Sequence, residues 1–185
     1  MFNLPNILSL LRIALIPVLI GCFFLPNESA SIWATIIFVI AALTDWLDGY
    51  LARKWDQTSP FGAFIDPVAD KLIVAIALVL VLFKTPEWYV VIPVVIIIGR
   101  EITVSALREW MAEVGQRNAV KVSFAGKLKT AFQMLAIGCL IFHNSLFGLP
   151  IFEIGIALLY VASALTISSM WSYLKAAWPI MKSNG

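Results

Sequence analysis

A chain of 185 residues with 61% hydrophobic and only 13% charged content is too apolar for a water-soluble globule of its length. Its net charge of +2 comes with no basic tract, so nucleic acid is not an expected partner, and two cysteines are too few for a disulfide framework. What remains is a membrane protein, in which about 20 apolar residues make one helical crossing.

Proline, glycine and polar clusters divide the chain into six apolar stretches. The expected fold is all-α: a polytopic membrane protein of six transmembrane helices in a single domain, 1–185. The first stretch, Asn6 to Leu25, has the length of a signal peptide but not its pattern. Its one positive charge, Arg12, sits inside it, Pro17 interrupts it and no small-residue cleavage site stands out. Asn6, Ser9 and Arg12, at one-turn intervals, form a polar stripe expected to face a cavity, because facing lipid would be costly. Helix packing through hydrogen bonds is an equally good reading of Asn6 and Ser9. The second and third stretches, Ser31 to Trp55 and Gly62 to Phe83, flank the polar run Lys54 to Ser59 and the turn-marking Pro60, and so form an antiparallel hairpin. The fourth, Trp88 to Trp110, carries Arg100 and Arg108, eight residues or about two turns apart and so expected on one face, each followed by a glutamate expected to orient it. The fifth, Leu128 to Phe142, begins beside Lys127 and Lys129, and the sixth runs from Ile151 to Trp171. Cys22 and Cys139 read as small buried hydrophobes, and the tryptophans near span ends as an interfacial belt.

When each basic residue is assigned to the nearer span end, every one except Lys84 falls on the face that holds both termini and the loops around residues 53–61 and 111–127. The positive-inside rule makes that face cytoplasmic. His143 falls toward the other face and is expected to take no part in chemistry.

The most informative residues are four aspartates in apolar surroundings: Asp45 and Asp48, three apart, and Asp66 and Asp70, four apart. Each pair lies on one face of its helix, and the hairpin brings the pairs together near its cytoplasmic end. A carboxylate at membrane depth is rare unless it faces a cavity, pairs with a cation or binds metal. Four carboxylates without nearby His or Cys suit Mg²⁺ or Mn²⁺ better than zinc, and about four negative charges match two divalent ions. Two such ions can hold the attacking and leaving oxygens of a phosphoryl displacement. From spacing alone, an ion or proton pathway and structural pairing with Arg53 or Lys71 stay open. Gly49, Ala52 and Gly62 are small enough to let a ligand or a helix approach closely, and Arg53 offers a fork for phosphate.

The run Asp45, Asp48, Gly49, Ala52, Arg53, Gly62, Asp66, Asp70 matches all eight fixed positions, over 26 residues, of one signature. On these residues the chain resembles the CDP-alcohol phosphatidyltransferases, integral membrane enzymes with a six-helix core. The resemblance implies that Asp45, Asp48, Asp66 and Asp70 hold two divalent metals, Mg²⁺ or Mn²⁺. It further implies that Asp70 is the catalytic base and that Gly49, Ala52, Arg53 and Gly62 belong to the CDP-binding surface. A homodimer is also implied.

Two more regions, NLPNILSLLRIALIPV and Ile97 to Gln133, resemble the members of that family whose acceptor is glycerol 3-phosphate. The implied reaction moves the phosphatidyl group of CDP-diacylglycerol to glycerol 3-phosphate, in anionic phospholipid synthesis at a bacterial cytoplasmic membrane. A dianionic acceptor near carboxylates needs its own cations, and the expected ones are Arg108 and Lys127, then Arg100 and Arg117. Each of these could instead anchor at the lipid interface. Another acceptor alcohol, or a cation or proton transporter using the same acids, is the competing reading. The almost wholly apolar run Ile73 to Phe83 argues against a transport path to the outer face.

Overall fold

Long apolar runs leave the backbone one way to satisfy its own polar groups in lipid, the helix, and single prolines such as Pro17 and Pro93 are accommodated within it. The computed structural model, which describes residues 4–26, 29–55, 59–116 and 124–184, has six helices. They are α1 (Leu4–Phe23), α2 (Ala30–Trp55), α3 (Pro60–Lys84), α4 (Trp88–Glu113), α5 (Phe124–Phe142) and α6 (Ile151–Asn184). The expected helices are all present, and the largest difference is at the end of α6, which runs 13 residues beyond Trp171. The extension forms because it has something to bury. Tyr173 and Ala177 join Val104, Leu107 and Met111 of α4 in one apolar cluster.

Among the described residues three helices are long and apolar enough to cross a membrane, at Asn6–Phe23, Trp88–Glu113 and Ile151–Lys182. Apolar segments Ala30–Asp45 and Leu128–Phe142 are shorter. α3 fails the same test although it has 25 residues, because Asp66, Asp70, Lys71 and Lys84 are spread along it. Large apolar side chains stand exposed on α1 to α6, while Asn6, Ser9 and Arg12 are at most 1% exposed. Apolar outside and polar inside is the arrangement expected of helices bathed in lipid. The chain is a membrane protein.

By its packing the chain forms two compact units. The first comprises Met1–Pro86 with Ile137–Gly155, and the second Glu87–Ala136 with Ile156–Gly185. In the first, α1 packs against both α2 and α3. The buried stripe of α1 reads Asn6, Ser9, Arg12, Ile16, Leu19, Cys22, every third or fourth residue. Its first half is polar and its second half apolar, so one packing face carries both a core and a site. At one end Phe24 meets Phe83 at 5.6 Å and Lys84 lies 5.8 Å over Phe23. At the other, Asn6 Nδ2 donates to Ser59 Oγ at 2.9 Å. α1 therefore runs parallel to α3 and antiparallel to α2.

Ser59 and Pro60 start α3 two residues before the expected Gly62. The Ser59 hydroxyl accepts from the Gly62 amide at 2.9 Å, and Pro60 occupies the first helical position, where no N–H is needed. Gly62 is glycine for a local reason: a Cβ there would lie 2.5 Å from Asn6 Oδ1 and 3.1 Å from Ser59 Oγ. Gly62→Ala should therefore cost about 1–2 kcal/mol by breaking the Asn6–Ser59 pair and loosening the cap. Thermal unfolding in detergent checks this, and adding Asn6→Ala should make the Gly62 substitution nearly neutral.

Candidate active site

The N-terminal half of the α1 stripe meets the acids of α2 and α3. Arg12, 0% exposed, sends Nη1 to Asp45 Oδ1 at 2.9 Å and to Asp70 Oδ1, and Nη2 to Asp48 Oδ2. One turn earlier, the Ser9 hydroxyl donates to Asp66 Oδ1 and lies 3.4 Å from Asp48 Oδ2. All four aspartates thus converge on two adjacent turns of α1, and the hairpin expected from the sequence brings the pairs together. Their exposures differ: the Asp48 side chain is 5% exposed, those of Asp45 and Asp70 44% each. In Asp70 the buried oxygen is Oδ1. The exposure of the side chain therefore lies on its other atoms.

The donor set fits a hard divalent cation. It offers four carboxylates and a hydroxyl, with no sulfur or imidazole. One guanidinium against four ionised carboxylates also leaves about three negative charges to balance, more than a poorly hydrated site sustains. As the side chains stand, no three carboxylates among the described residues surround a single point where an ion would bind. Arg12 lies between them instead. Gly49, Ala52 and Arg53 belong to the same stretch of α2, but their side chains lie outside the described residues.

The basic residues of the fourth and fifth stretches lie in the second unit. Arg100 is buried, with Nη1 3.2 Å from Glu101 Oε1 and Nη2 donating to Ser169 Oγ at 3.0 Å. Its guanidinium carbon stands 5.5 Å from the centre of the Tyr173 ring. Glu101 orients Arg100 as expected, and the same oxygen also takes the ammonium of Lys129, a residue 3% exposed. Beside them are buried Gln133 and Thr166, whose Oε1 and Oγ1 have no hydrogen-bond partner. Arg108, expected on the face of Arg100, is exposed, as is Glu109. Eight residues advance a helix by more than two turns, which rotates Arg108 about 80° away from Arg100. The Lys127 side chain and Arg117 lie outside the described residues.

Sequence reasoning missed Lys129 as a buried cation, and a signal for it exists. Lys129, Gln133, Ala136, Ile137 and Leu140 recur at helical spacing and are all buried. His143 packs edge-on against Phe152 at 4.5 Å. Burial and the charge of Lys84 hold its imidazole below the usual histidine range, against the opposing pull of Glu153. Lys84 ends α3, about 21 Å along the helix from Asp70.

The geometry, a helix-embedded carboxylate cluster with a cationic cluster elsewhere in the chain, is one that a membrane-bound enzyme acting on phosphorylated substrates would use. Comparison with known proteins agrees: the CDP-alcohol phosphatidyltransferase family matches residues 2–168. The CDP-diacylglycerol--glycerol-3-phosphate 3-phosphatidyltransferase of Pectobacterium atrosepticum is 51% identical over 177 residues, 95% of each chain. The proteins of that name from Salmonella choleraesuis and Shigella flexneri serotype 5b are 51% and 49% identical over 176 residues, again 95% of each chain. The chain belongs to the CDP-alcohol phosphatidyltransferase family, whose members depend on divalent metal.

Proposed function

We propose that this protein transfers the phosphatidyl group of CDP-diacylglycerol to the primary hydroxyl of glycerol 3-phosphate, releasing CMP and phosphatidylglycerophosphate. The observation that carries the reading is the near-complete match, at about half identity, to curated enzymes of that activity, joined to convergence of all four signature aspartates. Asp45, Asp48, Asp66 and Asp70 would hold two ions, Mg²⁺ or Mn²⁺. Bound there, divalent metal neutralises the diphosphate and stabilises the departing CMP phosphate.

The chain's own groups do the rest. Asp70 takes the proton of the acceptor hydroxyl as its oxygen bonds to the phosphorus bearing diacylglycerol and the bond to the CMP phosphate breaks. Gly49, Ala52, Arg53 and Gly62 form the CDP surface. Arg100, Arg108, Lys127 and Arg117, with Lys129 added by its burial beside Arg100, hold the acceptor phosphate and orient its hydroxyl. The six helices cross a bacterial cytoplasmic membrane as one domain, within a homodimer, with both termini and the site's mouth toward the cytoplasm. The basic residues crowded on one face support that orientation.

The test is product formation by purified protein in detergent from CDP-diacylglycerol and labelled glycerol 3-phosphate, serine, inositol phosphate or phosphatidylglycerol in separate reactions. Product from glycerol 3-phosphate alone is expected. Chelation should abolish it and Mg²⁺ or Mn²⁺ restore it. Product from a different acceptor would overturn the acceptor assignment, and no CMP release from any would return the acids to a transport role.

A further inference from the structure

Arg12 is placed where neither a packing residue nor a surface anchor would be. It is fully buried, its terminal nitrogens touch three carboxylates, its Nε has no hydrogen-bond partner, and Ser9 beside it holds the fourth aspartate. Four carboxylates and Arg12 sum to about minus three. One divalent ion brings that to about minus one, and a second to about plus one, a charge that a poorly hydrated site resists. Without Arg12 the second ion would bring the sum to zero. The diphosphate of a nucleotide-linked lipid adds about two negative charges, so its arrival makes the second ion favourable again.

We propose that Arg12 couples the second metal to the diphosphate: its fixed charge keeps the site from filling with two ions until the nucleotide substrate enters. This inference rests on the proposed metal role of the aspartates. Coupling of this kind is reciprocal, so the second ion strengthens nucleotide binding by the factor by which the nucleotide strengthens the ion. The device prevents a site loaded with two ions from trapping stray phosphate, and completes the electrophilic centre only on the substrate to be cleaved.

The test is equilibrium dialysis of purified full-length protein in detergent against Mn²⁺, with and without CDP, the Mn²⁺–CDP complex being counted in the protein-free compartment. Wild type is expected to bind one Mn²⁺ per chain alone and two with CDP, the second at least tenfold tighter than without it. Arg12→Gln should bind two without CDP, with the CDP effect on the second ion reduced to under threefold. Arg12→Lys, which keeps the charge and favours folding, should retain the wild-type pattern. Two ions on wild type or on Arg12→Lys in the absence of CDP, or an Arg12→Gln protein still needing CDP for the second, overturns the coupling. No saturable Mn²⁺ on wild type, or an unchanged titration of Asp66→Asn, overturns the metal reading itself and the coupling with it.

Discussion

Asp70→Asn is expected to lower turnover by about a thousandfold or more while leaving the protein folded and monodisperse in detergent. The amide keeps the side chain's shape and one acceptor oxygen but cannot take a proton. Loss of a positioned general base alone costs about 10²–10⁴ in rate. Any loss of metal adds to that. Oδ1 of Asp70 is buried against Arg12 while the side chain as a whole is 44% exposed, so the group is held at one atom and open to the site elsewhere. Asp48→Asn provides the contrast. Asp48 is buried against Arg12 and near Ser9, so its substitution should weaken metal affinity and be partly rescued by high Mn²⁺, whereas Asp70→Asn should not be rescued. Turnover by Asp70→Asn within tenfold of wild type would remove it as the base.

What the sequence revealed and what it hid divide along a physical line. The four aspartates were legible because each pair is read from spacing within one helix and Lys54 to Pro60 marks the turn between them. Pro60 was likewise legible as the mark of a turn, while Ser59 as cap and Pro60 as first helical residue come from the structure. Arg12 was legible as part of a polar stripe with Asn6 and Ser9 expected to face a cavity, but its partners were not. Its contact with three carboxylates depends on how α1 docks on α2 and α3, which no single-helix pattern encodes. The end of α6 was misplaced for the same reason, since Tyr173 and Ala177 are helical by virtue of what they bury against in α4. Grouping Arg100 with Arg108 failed differently. Helical arithmetic separates them, and the buried positions Arg100, Val104, Leu107 and Met111 mark the face that Arg108 leaves.

That separation ranks the cations of the proposed acceptor site. Lys129→Met should raise KM for glycerol 3-phosphate by about 10- to 100-fold and leave KM for CDP-diacylglycerol within twofold. A charge-assisted hydrogen bond made away from water is worth about 1.5–3 kcal/mol, and each 1.4 kcal/mol is a factor of ten. Methionine keeps the length and apolar stem of lysine, so packing around residue 129 changes little. Arg108→Ala should shift the acceptor KM by less than about fivefold, because an exposed cation is screened by water and salt. Glu101 provides the internal control: it now neutralises part of Arg100 and Lys129 together, so Glu101→Gln should free both and lower the acceptor KM. A merely structural pair would behave otherwise, with Lys129→Met and Glu101→Gln both reducing kcat and unfolding temperature without separating the two KM values. Opposite signs on the acceptor KM, at constant KM for the lipid substrate, are what a phosphate held by Lys129 and Arg100 requires.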